Sequence, residues 1–144
     1  ASTRRFEGFQ AALSDAGLRL DRHLVQPGDY TYRSGLLAAE KLLARKRRPS
    51  AIFASNDDMA AAAISVAHRR GLDVPRDLSV VGFDGIDWVA HLPVPLSTVR
   101  QPKRDLGSAA ARVLMALIAG QPVASSTVLE PQLVLRKSSG PAPA

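Results

Sequence analysis

The 144-residue chain contains no cysteine. That excludes a disulfide scaffold, cysteine-ligated zinc, iron–sulfur clusters and a thiol nucleophile. Histidine is almost as scarce, and His23, His68 and His91 lack metal-ligand spacing, so neither a metal centre nor a cofactor is expected. No stretch approaches the roughly 18 apolar residues of a membrane helix. The opening Ala1-Ser2-Thr3-Arg4-Arg5 leads into no apolar signal core. The expectation is a soluble, cytoplasmic chain without membrane contact, unless a leader has been removed. Internal repeats and low-complexity linkers are absent as well.

What is present suits one compact domain: 46% of residues are hydrophobic, enough to bury a core. Lys and Arg number 19 against 13 Asp and Glu, a formal charge of +6. Such a balance gives solubility and loose attraction to polyanions, but it specifies no groove-reading element. The run Arg45-Lys46-Arg47-Arg48 reads as a solvated helix end, with a phosphate contact as the other possibility.

The apolar spacing of Phe6, Phe9, Leu13 and Ala16 predicts a helix over 4–16, stopped at Gly17. Residues 20–26 form a strand candidate ahead of the turn at Pro27-Gly28-Asp29. Ser34 can cap a helix running to about Arg45, before Pro49. Ala51-Ile52-Phe53-Ala54 is a short unbroken apolar run, expected for a strand covered on both faces. Ser55-Asn56-Asp57-Asp58 then offers side-chain oxygens to a helix ending at Gly71. Further strands are predicted over 78–83, 96–100 and 128–136, the last interrupted at Pro131. A helix over 102–119 carries the stripe Leu106, Ala110, Val113, Leu117. Residues 138–144 read as a frayed tail. Helices alternating with short apolar strands predict an α/β fold with a mostly parallel sheet and helices on both faces. The first helix has no strand before it, so its sheet partner is expected outside this sequence.

Open parallel sheets bind ligands at the carboxyl ends of their strands. There the predicted strands deliver Ser55, Asn56 and Asp57, then Asp84, then Gln101, and the loop after residue 26 presents Tyr30. An amide (Asn56), a carboxylate (Asp84), a guanidinium (Arg5) and a flat ring (Tyr30) suit a polyhydroxylated small molecule. Hydroxyls bridge amide and carboxylate while the ring covers a C–H face or stacks on a base. No nucleophile–base pair accompanies them. Each residue also has a plainer explanation. Asn56 or Ser55 can be a helix cap, Asp84 before Gly85 a turn former, and Tyr30 a half-buried loop aromatic. Arg5 near a helix start is harder to explain structurally.

Seven blocks in order resemble the effector-binding core of the LacI/GalR (lactose/galactose repressor) family of bacterial regulators. They are Arg5-Phe6-Glu7-Gly8-Phe9; Gly28-Asp29-Tyr30 with Ser34-Gly35; Arg48 to Asp57 with Met59-Ala60; Gly71-Leu72 with Val74-Pro75; Asp77 to Asp84; Pro95 to Pro102 with Leu106-Gly107; and Leu133-Val134 with Arg136. The resemblance implies a type I periplasmic-binding-protein-like fold of two α/β lobes around a sugar or nucleobase-like effector. It implies effector contacts at Arg5, Asn56 and Asp84, stacking at Tyr30, and a lobe crossover at Gln101. It also implies a homodimer, with Ala60, Ala63, Trp88 and Leu92 near the partner. Residues 1–101 would be the carboxy-terminal lobe, 102–122 a crossover helix of the largely absent amino-terminal lobe, 123–137 the return strand and 138–144 a disordered tail. Operator DNA would be reached only through a helix-turn-helix that this sequence does not contain. Gly85 stands where the family carries a second acidic residue, which removes one possible contact.

Two rivals are distinguishable. A periplasmic sugar-binding receptor of an ABC transporter shares the fold; the basic balance and the Val80-Val81-Gly82-Phe83-Asp84 block favour the regulator. An enzyme holding Mg2+ at Asp57, Asp58 and Asp84, with Lys103 on phosphate, is the other class. Against it, Asp57 and Asp58 also serve as ordinary first-turn helix acids.

Overall fold

The computed structural model describes residues 2–143. Helix α1 spans Ser2–Asp15, α2 Tyr32–Leu43, strand β1 Ala51–Phe53, α3 Asp57–Arg69, β2 Ser79–Asp84, β3 Ser97–Arg100, α4 Lys103–Ile118 and β4 Gln132–Val134. The strands form one sheet in the order β1-β2-β3-β4. The β1–β2 and β2–β3 pairings are parallel and β3–β4 is antiparallel. The mostly parallel α/β architecture follows the sequence expectation.

Register and alternation decide which face each helix covers. Gly82 faces α3: a Cβ added there would meet Leu96 and Ala60. Its partner Thr98 therefore faces α3, while Phe83 and its partner Val99 point the other way. Val81 shares that second face, and so does Phe53, which is paired with it. There Phe9 of α1 stacks on Phe53 at a centroid distance of 5.7 Å. Helices α2 and α3 thus cover one face and α1 the other.

The core lies on the α2/α3 side. Ala39 and Leu43 of α2 and Ala60, Ala63, Val66 and Ala67 of α3 pack with Leu78, Val80, Val89 and Leu96. Small residues let the two helices approach closely. A Cβ on Gly35 would fall 2.6 Å from the Met59 Cα. Fully burying Leu78 and Leu96 contributes about 1.5–3 kcal/mol each.

Several expectations are corrected. Residues 20–26 join no sheet strand. Asp21 accepts from the His23 N–H and turns the chain into a short 3-10 helix over Arg22–Leu24, so a local cap wins over extension. The α2 cap is Thr31, whose side chain accepts from Ser34 N, and not Ser34 itself. β1 is not covered throughout, since Ala51 is exposed at the sheet edge. The strand predicted over 128–136 shortens to Gln132–Val134 beyond Pro131, and Val128 is exposed. Residues 138–140 are no frayed tail. Ser138 is fully buried, its Oγ donates to Val80 O at 2.6 Å and accepts from Ser97 N at 2.7 Å, and its carbonyl accepts from Val80 N. Ala60 and Ala63, expected near a dimer partner, are buried on the core face of α3.

Candidate functional site

The parallel strands β1 and β2 end side by side, so the segments leaving them share one rim. The last bond of the β1 edge is from Ala54 N to Val81 O, and two residues further on Asn56 is the N-cap of α3. The Asn56 side chain is spent on structure in two directions. Oδ1 accepts from Met59 N at 3.0 Å, satisfying a free helix N–H, and Nδ2 donates to Tyr30 O at 2.8 Å. Neither bond uses the second amide hydrogen.

That bond fixes an unusual loop. Tyr30 has φ of 68°, uncommon for a non-glycine residue, and its ring is substantially exposed. Asp29 builds the turn around it, Oδ1 accepting from Thr31 N at 3.0 Å and from Thr31 Oγ1 at 2.6 Å. The Ser34 hydroxyl beside it, followed by the Thr31 hydroxyl and N–H, lowers the Asp29 carboxyl to about 2.

Asp84 ends β2 with φ of 113°. Its Oδ1 accepts from Gln101 Nε2 at 2.5 Å and lies 3.8 Å from Arg5 Nη2. Arg5 reaches the rim from α1. Its guanidinium lies 3.9 Å above the Phe83 ring centroid, and Nη1 donates to Ser55 O at 2.6 Å. A slot of about 280 Å³ opens beside it, lined by Arg5, Gly8, Phe9, Phe53, Phe83 and Val99.

The predicted residues are therefore gathered as the sequence implies. Asp84 touches both Arg5 and Gln101, Asn56 holds the Tyr30 backbone, and the Arg5–Ser55 bond joins the two groups. An oriented carboxylate, a guanidinium, two amides and an exposed ring can bind hydroxyls and cover a flat face. Trp88, in the short helix Asp87–Ala90, is exposed. Leu92 is half-buried against the core.

Asp57, which the rival enzyme reading would place on Mg2+, is turned away from the rim. It is fully buried, and its two oxygens accept from Thr98 Oγ1 and Ile86 N. Burial pushes its carboxyl above the usual range, against the Thr98 and Ile86 hydrogen bonds that lower it. Among the described residues no group of three or more His, Asp or Glu could hold a metal ion. Sequence reasoning missed the inward role of Asp57. The signal was its helical phase, three before Ala60 and seven before Ile64 on the apolar stripe, with Asp58 off it.

Comparison with known proteins places the chain in a family. A family described as a periplasmic binding protein-like domain matches residues 1–139. The chain is 39% identical over 135 residues to an HTH-type transcriptional repressor PurR of Photobacterium profundum, covering 93% of this chain and 40% of that protein. It is 38% identical over 136 residues to the repressor CytR of Escherichia coli K12, covering 94% of this chain and 40% of the relative. The chain thus spans about 40% of the length of these curated relatives. Among solved structures, a transcriptional regulator CelR–cellobiose complex superposes with a TM-score of 0.90 at 38% identity, covering 95% of this chain and 42% of that one. A LacI-family regulatory protein from Chloroflexus aggregans gives 0.86 at 35% identity, with coverage of 94% and 50%. Among the described residues no helix is long and apolar enough to cross a membrane.

Proposed function

Because the chain belongs to the periplasmic binding protein-like domain family, matching the effector-binding domain of LacI-family repressors, we propose that it is the carboxy-terminal effector lobe of a transcription regulator. Its ligand is a small polar molecule with several hydroxyls, a sugar or a nucleoside. Arg5, Asn56, Asp84 and Gln101 bind it and Tyr30 covers one face. The observation that carries this reading is the contact of Arg5 and Gln101 with one carboxylate, Asp84, at a rim that also carries the Asn56 amide and the exposed Tyr30 ring. The cellobiose bound by the similar regulator supports a carbohydrate.

Helix α4 belongs to this reading as a piece of the second lobe. It buries none of its residues and leaves Leu114, Met115, Leu117 and Ile118 exposed. Closure of two lobes on the effector shifts the geometry of a homodimer, with Trp88 and Leu92 near the partner, and so changes operator affinity of a helix-turn-helix outside this chain. The protein works in the cytoplasm, where its operator is. The repressors among the relatives favour this regulator over a transport receptor.

Amide NMR of the chain with millimolar cellobiose, ribose or adenosine tests the site. One of these compounds is expected to shift the Asn56 and Gln101 side-chain amides and the Gly85 amide, and Asp84→Asn should abolish the shifts. Shifts confined to residues away from this rim would refute the assignment.

A further inference from the structure

Asp57 contributes nothing to the rim surface, yet it is the one buried acid of the described residues and it spans three elements. From the first turn of α3, Oδ1 accepts from Thr98 Oγ1 on β3 at 2.6 Å. Oδ2 accepts from the backbone N–H of Ile86 at 2.8 Å, two residues past Asp84. The space for it is made by β2: a Cβ on Gly82 would run into Oδ1.

The loop that Asp57 grips needs holding. Asp84 has φ of 113° and Gly85 φ of 65°, conformations that persist in a non-glycine residue only when surrounding bonds over-determine them. We propose that Asp57 is a positioning residue for the effector site: by holding Ile86 N–H against β3 it keeps Asp84 in the backbone geometry that brings its carboxylate to Arg5 and Gln101. The preceding residue does the same for the other loop, since Asn56 holds Tyr30 O. Two consecutive side chains, the N-cap of α3 and its first residue, thus set both binding loops, one by an amide and one by a buried carboxylate. The inference rests on the reading of this rim as an effector site.

Backbone hydrogen exchange and binding decide it together. In Asp57→Ala the Ile86 amide is expected to exchange about tenfold faster or more, while the Val80 amide, held by Ser138 O, keeps its native rate. The dissociation constant for whichever of cellobiose, ribose or adenosine shifts the rim should rise about tenfold. Asp57→Asn should recover most of both effects, because its amide oxygen can accept from Ile86 N–H while its NH2 donates to Thr98 Oγ1. An unchanged Ile86 rate in Asp57→Ala overturns the proposal. So does an equal acceleration at Val80, which would mean general loosening, or an Asn variant as impaired as Ala. If Asp57→Ala does not fold, Ile86→Pro removes the donor at a φ of −74° that proline accepts; weakened binding there supports the proposal and native affinity overturns it. If no compound moves the rim of the native chain, the effector reading fails, and the exchange rates alone decide the positioning role.

Discussion

Asn56 shows why the helix-cap explanation and the ligand explanation of a residue need not compete. Its amide has one acceptor and two donors, of which the cap and Tyr30 O consume the acceptor and one donor. The same economy governs Asp29, whose carboxylate organises a loop and binds nothing outside it. A carboxylate with a depressed pKa stabilises the fold above its unfolded value near 3.8, and that contribution disappears as pH falls through about 2. Glu40 is shifted the same way, by Arg70 first and Arg69 second, so both acids make the fold less stable on acidification below the ordinary carboxylate range. Asp29 is exposed, so its part is small. Ser34→Ala removes the largest cause of the Asp29 shift. An NMR titration should then place Asp29 closer to 3.8; a value still at about 2 would mean that Thr31 alone holds it.

At the scale of elements, the segment 136–140 changes what counts as the sheet. Arg136 N donates to Ser97 Oγ, Ser138 bridges Val80 and Ser97, and Gly140 N donates to Ser79 Oγ. The strap occupies the gap where β2 has begun and β3 has not, since their register starts at Val81 and Ser97. Ser138→Ala would leave the buried Ser97 N–H without its acceptor, at a cost of about 1–3 kcal/mol. The urea midpoint should fall with an unchanged m-value; an unmoved midpoint would show that the strap adds nothing. The strap was invisible in the sequence because Ser138-Ser139-Gly140 carries no apolar period, and its burial comes from hydroxyl and backbone bonds made 41 to 61 residues away. By contrast, β1 and β2 were legible as apolar runs, β3 as the segment that follows the Pro93 and Pro95 loop, and α3 as a cap followed by a stripe. The candidate rim was legible for a topological reason: parallel strands with helices between them put Asn56 and Asp84 at one edge whatever the side chains do. The inward turn of Asp57 was readable from its helical phase and was missed; what could not be read was the burial of Ala60 and Ala63, because the depth of a small residue depends on how closely α2 approaches α3.

For the whole molecule, the decisive feature is that the rim has one wall. Effective small-molecule sites enclose about 70–90% of the ligand surface, whereas here Tyr30 stands 40% exposed and the Arg5 slot holds about 280 Å³ open to its side. The polar groups already satisfy one another, with Gln101 and Arg5 both spent on Asp84. A ligand must therefore exchange these bonds for its own, gaining little desolvation in return. In the proposed reading the second wall is the lobe to which α4 belongs, and α4 here leaves its apolar face to solvent. Titration calorimetry of the 144-residue chain with cellobiose, ribose and adenosine should accordingly give, for the compound that shifts the rim, a dissociation constant in the millimolar range. A longer form of the protein carrying a second lobe should bind the preferred compound at least about a hundredfold more tightly, a difference of roughly 2.7 kcal/mol. Micromolar binding by the isolated chain would mean that a single lobe suffices, and that closure of two lobes is not what the effector drives.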